Sequence, residues 1–282
     1  MHKTQGWGSL RLKHRQGKGG PARLLHFLSE KYRYSVLAND VMAYIAAVTA
    51  QPAFTNRFQD DLSTPGLRIP LTADGTLFAK MASLGRSVIW LHTFGERMAD
   101  EKEGRPPGPP RLPADRRPQI PRPGSIPTDP ENMPDSIDYD TGKHRLLVGQ
   151  GYIENVAPAV WLYEVSGKQV LPHWFSYRRK NRERPIIGDR RQPSPLGDIQ
   201  PDHWLPEYTT ELLNVLNVLG LLVDLEPVQA ELLDKVCSGP LISADDLSAA
   251  GALELPPKSK RKAKKKKVGP GLFDAHAKQH TP

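Results

Sequence analysis

Between residues 104 and 134 the chain places 11 prolines in 31 positions. Proline has no backbone N–H and its ring clashes inside a helix, so neither a helix nor a central strand survives that density. The stretch is a linker or an extended strap laid over a surface. It leaves a segment on each side long enough for a modest domain within the 282 residues. The 28 prolines in all, with a mean hydropathy of −0.51, say that part of the chain is not core. A hydrophobic content of 38% still suffices to build one.

Residues 1–30 are Gly-rich and basic, with a short apolar piece at 24–28, and read as a poorly ordered lead-in. Residues 31–100 read as a helical subdomain. Asn39 is the expected N-cap of its first helix, whose Val41, Tyr44, Ile45 and Val48 fall at i, i+3, i+4 and i+7. Pro52 ends that helix and opens the next, where Phe54, Phe58 and Leu62 line one face. Asp74 is placed to cap a third helix carrying Leu77, Met81, Leu84, Val88 and Leu91, with Gly95 as its stop. Residues 101–140 form the proline-rich linker or strap. In 141–255, an α+β core, short strands are expected at Arg145–Val148, 151–156 and 159–165, then a helix over 169–180. Residues 185–206 are again proline-rich and irregular. Two closing helices are predicted, one with a stripe of Leu212, Val215, Leu216, Leu219, Leu222 and Val223, the other from Pro227 to Gly239. Ser243 and Asp246 frame a capping box for a last short helix. From 256 to 282 the chain reads as a disordered Lys-rich tail. The fold class is thus α+β: helical before the strap, mixed after it.

Much chemistry is excluded. No run of 18 apolar residues exists, so no membrane span is expected, and the polar start lacks the apolar stretch of a secretory signal. A single cysteine, Cys237, rules out a disulfide framework or a cysteine-rich zinc module and points to a reducing, cytoplasmic setting. Near a helix end it reads as a buried structural thiol. There is no phosphate loop; Gly17-Lys18-Gly19-Gly20 lacks the spacing and the hydroxyl. Gly149-Gln150-Gly151 is a lone GxG without a third glycine or a helix start, weak ground for a dinucleotide or adenosyl site. The nine histidines are scattered without metal-ligand spacing, and His92 and His173 read as structural. No hydrolase elbow or paired-carboxylate motif stands out. No catalytic residue, metal or cofactor is expected in this chain.

The charge distribution is more telling than the net +8. Residues 258–267 supply eight cations and no acid: Lys258, Lys260, Arg261, Lys262, Lys264, Lys265, Lys266 and Lys267. Without them, 31 basic residues face 31 acidic ones, so the basic character belongs to the tail. A second run, residues 168–195, holds Lys168, Arg178, Arg179, Lys180, Arg182, Arg184, Arg190 and Arg191 against Glu183 and Asp189, a local net of +6. Here arginine dominates. A guanidinium fork grips a phosphate or a guanine edge bidentately, whereas lysines act as point charges. The run is either a nucleic-acid contact or a solvated basic face. The interleaved Trp174 and Tyr177 read first as core residues and second as base-stacking platforms. The tail suits non-specific attraction to nucleic acid or anionic lipid, and no amphipathic or lipidation signal accompanies it.

Several longer motifs resemble a known family. They are Tyr163-Glu-Val-Ser-Gly-Lys-Gln-Val-Leu-Pro-His-Trp-Phe-Ser-Tyr-Arg-Arg-Lys, Ile187-Gly-Asp-Arg-Arg-Gln-Pro-Ser-Pro-Leu-Gly-Asp-Ile-Gln-Pro, Trp204, and Tyr208-Thr-Thr-Glu-Leu-Leu-Asn-Val-Leu-Asn-Val-Leu. Upstream, Asp40-Val-Met-Ala-Tyr-Ile, Pro52-Ala-Phe-Thr-Asn-Arg-Phe, Arg68-Ile-Pro-Leu, Leu84-Gly-Arg and Leu91-His-Thr-Phe-Gly-Glu follow in the same order. Together, over roughly residues 30–255, they are similar to the C-terminal specificity domain of type ISP restriction–modification enzymes.

The resemblance implies a target-recognition domain that clamps duplex DNA. In such enzymes an upstream methyltransferase domain uses S-adenosylmethionine to methylate adenine, after taking the base out of the stack. The methyltransferase signature Asn-Pro-Pro-Tyr, a glycine-rich adenosyl site, and helicase and nuclease motifs do not occur in this sequence. No catalysis by this chain alone is therefore expected. A separately encoded recognition subunit or a truncated remnant fits, with S-adenosylmethionine bound by an associated methyltransferase. The expected DNA contacts are Lys168, Arg178, Arg179, Lys180, Arg182, Arg184, Arg190 and Arg191, with the tail as a non-specific element. Two other readings stand beside it: a docking subunit that completes a split methyltransferase by binding a separate methyltransferase or translocase subunit, and a non-specific nucleic-acid binder driven by the tail.

Overall fold

The computed structural model describes residues 20–64, 66, 68–180 and 201–253. The chain divides into two compact units. One takes in the described residues up to Val36 and those from Ile242. It contains α1 (Gly20–Tyr32) and the short terminal helix at Ala244–Ala249. Ser29 Oγ accepts the Val36 N–H at 2.9 Å and so closes the end of α1. Ser243 Oγ accepts the Asp246 N–H, and the Asp246 carboxylate accepts the Ser243 N–H, which is the reciprocal cap its spacing predicts.

The other unit, Leu37–Leu241, begins with α2 (Ala38–Thr49). This helix starts before the expected cap at Asn39. The Asp40 carboxylate reaches back to the Leu37 N–H at 2.8 Å, so the acid in the first turn satisfies an orphan donor and the helix opens at Ala38. Its buried side is Ala43, Tyr44, Ala47 and Val48, whereas Ile45 is exposed. The reason is the partner. In α5 (Gly75–His92), a Cβ at Gly85 would lie 1.7 Å from the Ala43 carbonyl oxygen. Backbones this close admit only small residues between them, which draws the alanine face inward. Tyr44 stacks on Phe78 at 4.8 Å, and Asp40 pairs with Arg86. Pro52 opens α3 (Pro52–Arg57), which buries Phe54, but Leu62 in α4 (Gln59–Leu62) is exposed. Asp74 caps α5 as expected, accepting from Thr76 N–H at 2.7 Å and Leu77 N–H at 3.1 Å.

After the strap come three antiparallel strands, β1 (Ile137–Asp140), β2 (Arg145–Val148) and β3 (Gly151–Ile153), paired in that order. Leu146 stands opposite both Tyr139 and Ile153, and Leu146, Val148 and Ile153 point into the core. The strand expected over 159–165 is not one. Pro158 presets the helical φ of a first turn, and α6 (Pro158–Trp161) forms instead. Only Glu164–Val165 is extended, as β4, pairing with β5 (Lys168–Gln169) in a separate hairpin. Helix α7 (Val170–Ser176) is shorter than the expected 169–180.

The two expected closing helices are one, α8 (Pro206–Ser238), 33 residues long and about 50 Å from end to end. Pro227 sits inside it on the exposed side. The helix survives because both flanking stretches are pinned. Leu212, Leu216, Leu219 and Leu222 enter the core with Trp90, Leu146, Phe175 and Trp204. Beyond Pro227, the buried Gln229 amide donates to the carbonyls of Ala47 and Ala50 at 3.2 and 3.1 Å, and Asp234 pairs with Arg57.

The proline-rich segment packs against this core. Its Leu112 N–H donates to the fully buried Asn217 Oδ1 of α8 at 2.8 Å, the Pro106 carbonyl accepts from Trp90 Nε1 at 2.9 Å, and Gln119 bridges to Glu154. Glycines make room for it. A Cβ at Gly220 would meet Leu112, one at Gly151 would meet Ile126, and one at Gly149 would meet Pro134. Gly149-Gln150-Gly151 therefore makes room for the strap. Among the described residues no helix is long and apolar enough to cross a membrane.

Replacing Asn217 by leucine strands the Leu112 N–H in an apolar site and is expected to cost about 1–3 kcal/mol in a urea unfolding titration. Gly85→Val, which forces α2 and α5 apart, is expected to lose at least about 1–3 kcal/mol by the same measurement.

Candidate functional site

The described part of the basic run takes in β5, which carries Lys168, then α7 and the turn after it, which carries Arg178, Arg179 and Lys180. Ser166 and Gly167 form the two-residue turn of the hairpin, both at positive φ (53° and 73°). That is the geometry whose twist matches paired strands. Glu164, Val165, Ser166, Gly167 and Lys168 are all exposed. The base of the hairpin is fixed. Val170 N–H donates to the Tyr163 carbonyl at 3.0 Å, and Leu171 and Phe175 of α7 are buried in the core. Burial pushes the Tyr163 hydroxyl up to about 12, and the nearby Glu226 adds to the shift.

The four described cations sort into two kinds. Arg178 and Lys180 are engaged with the fold. The Arg178 guanidinium lies 4.1 Å from the Trp174 ring centroid and 5.4 Å from that of Tyr208. It donates to Glu211 Oε2 at 2.9 Å and to the Trp174 carbonyl at 3.1 Å, and so fastens α7 onto α8. Lys180 Nζ donates to the Glu131 carbonyl at 2.9 Å, and its own N–H to the Pro134 carbonyl at 2.8 Å, which ties the chain after α7 to the strap. Lys168 and Arg179 are exposed. Arg182, Arg184, Arg190 and Arg191 lie outside the described residues, as do Lys258, Lys260, Arg261, Lys262, Lys264, Lys265, Lys266 and Lys267.

Between hairpin and helix is an open concavity of about 510 Å³, lined by Val165, Lys168, Val170, Trp174, Tyr177 and Arg178 among others. Trp174 and Tyr177 differ in role. Trp174 is half-buried with its edge toward Trp204, whereas Tyr177 is 51% exposed and edge-on to His173 at 5.2 Å. His173 is thus a rim residue, and His92 is likewise exposed at the end of α5. Sequence reasoning missed Glu211 and Tyr208 as the seat of Arg178. The i, i+4 spacing of Trp174 and Arg178 was a legible signal for the stack, but the partners 30 or more residues away had none.

Cys237 is half-buried. Burial pushes its thiol up, Arg57 pulls it back and Asp234 adds to the rise. Among the described residues no group of three or more His, Cys, Asp or Glu is placed to hold a metal ion.

A family described as the Type ISP C-terminal specificity domain matches residues 13–215. No curated protein matches. Among solved structures, a nuclease-deletion mutant of the Type ISP restriction-modification enzyme LlaGI, in complex with a DNA substrate mimic, is similar at 15% identity. The match covers 72% of this chain and 14% of that one, with a TM-score of 0.42. The DrdV–DNA complex, seen by cryo-EM, is similar at 16% identity over 77% of this chain and 19% of that one, with a TM-score of 0.43. The chain spans less than one-fifth of the length of either.

Two outcomes are expected from this geometry. Arg178→Ala, which unseats the plate between Trp174 and Tyr208, is expected to lower stability by about 1–2 kcal/mol in thermal unfolding. Iodoacetamide is expected to modify Cys237 more slowly in the folded chain than in urea at pH 8, because a raised thiol pKa leaves less thiolate. That gap should narrow as the pH rises through the folded-state value.

Proposed function

Because the chain belongs to the Type ISP C-terminal specificity domain family, we propose that it recognises a DNA target sequence and directs adenine methylation by a catalytic domain carried elsewhere. The family match carries this reading, since it spans the whole Arg-rich run, residues 168–195. The chemistry of that run agrees. Guanidinium groups beside a fixed hairpin can contact phosphates for position and base edges for sequence. Lys168 and Arg179, with Arg182, Arg184, Arg190 and Arg191, are the proposed contacts. Arg178 and Lys180 are engaged with the fold, Arg178 with Glu211 and Lys180 with the strap. S-adenosylmethionine belongs in this reading to the methyltransferase, and no step runs through this chain's residues. The lysine tail adds salt-sensitive, non-specific attraction.

A second reading has one observation in its favour. Leu37, which precedes α2, and Met42 and Ile45 on it are exposed, apolar side chains that a methyltransferase subunit could cover in a split enzyme. Met42→Asp would then abolish co-purification with such a subunit while leaving duplex binding intact.

The test of the first reading is recovery of bound sequences from a randomised duplex library at moderate salt. A defined motif is expected, and it should persist when residues 256–282 are removed. The slope of log affinity against log salt should then fall in magnitude by about 0.9 for each phosphate that the tail neutralises. Loss of all binding with the tail would leave the non-specific reading in its place.

A further inference from the structure

We propose that the β4–β5 hairpin is the element that enters the major groove, with Val165, Ser166, Lys168 and Gln169 as its base-edge contacts. The inference rests on the DNA-recognition reading above and goes further, by naming the reading element and its residues.

The shape carries the argument. A B-DNA major groove, about 12 Å wide and about 8.5 Å deep, admits a two-stranded β-ribbon. From the Tyr163–Val170 bond at its base to the turn at Ser166-Gly167, the hairpin extends by three residues, which is about 10 Å at strand rise. It is therefore long enough to reach the floor of the groove. Its residues 164–168 are exposed, yet its base is held by the buried Leu171 and Phe175. A reading element needs both properties, because base discrimination is lost when side chains wander by an ångström. The left-handed turn at Ser166-Gly167 fixes the register, with Glu164 opposite Gln169 and Val165 opposite Lys168.

The chemistry fits the groove as well. Lysine suits guanine O6 and N7, glutamine suits adenine N6 and N7, serine suits several edges, and valine suits the thymine methyl group. Val165 is 55% exposed, so its methyl groups can meet a thymine methyl. The concavity behind it has Tyr177 and Arg178 in its lining, and Lys168 and Arg179 are exposed cations that can meet phosphates. That charge favours DNA over a protein surface as the occupant.

The test uses the full chain. Gln169→Ala and Lys168→Ala are each expected to relax preference by about ten- to a hundredfold at one base pair of the recovered motif, with the unfolding temperature unchanged. Arg179→Ala should weaken all sequences evenly. A benzoylphenylalanine in place of Val165 should photocrosslink to a base of bound duplex whether or not a motif is recovered. A motif indifferent to both hairpin substitutions, or a bound duplex that residue 165 does not crosslink, overturns the inference and leaves the recognition reading standing. Crosslinking to an added methyltransferase subunit in preference to DNA overturns it in favour of a protein contact. A chain that binds no duplex removes the recognition reading itself, and the hairpin assignment with it.

Discussion

Asn217 is a fully buried amide in the apolar stripe of α8, and it accepts the Leu112 N–H from a segment with almost no secondary structure. A backbone donor buried without a partner costs as much as a sizeable fraction of a domain's stability. Leu112 can be core only because Asn217 is there to meet it. Once Leu112 is seated, Gly220 must remain a glycine, since its missing Cβ is the space that Leu112 occupies. The strap then runs on to cover the sheet, with Ile126 over Gly151 and Pro134 over Gly149. The sheet has only three short strands, and without this cover its inner face would meet helices on one side and water along its edge.

The sequence was legible where a local rule coincided with the tertiary demand. Asp74, Pro52 and the Ser243–Asp246 box act where their side chains act alone, and the structure places them as read. The reading failed where a distant partner decided. Ile45 fits the apolar stripe of α2 by spacing, but the close approach of Gly85 to Ala43 turns the alanine face inward. Pro227 breaks a helix by propensity, but Gln229 and Asp234 hold the far side to α2 and α3 and outweigh the lost hydrogen bond. The segment after Pro158 has the branched residues of a strand and the start of a helix, and the proline prevailed.

The candidate site was legible in composition and opaque in division of labour. A run of arginines marks a place, and equal charges look alike in one dimension. Three dimensions separate them. Arg178 spends its guanidinium on Trp174, Tyr208 and Glu211, whereas Arg179, its neighbour, faces solvent. The hairpin escaped notice for another reason. Two residues per strand give no periodicity to detect, and Glu164–Val165 lay hidden inside a longer expected strand.

Helix α8 joins the core beneath the hairpin to the α2–α3 pair through one rod, and Pro227 divides it into arms of about 32 and 17 Å. At that point one rung of the hydrogen-bond ladder is missing. A rod with a single soft joint bends there first, so a force applied at one end is relieved in the middle before it strains the other end. The proline that helix propensity counts as a defect makes α8 mechanically compliant at a chosen place.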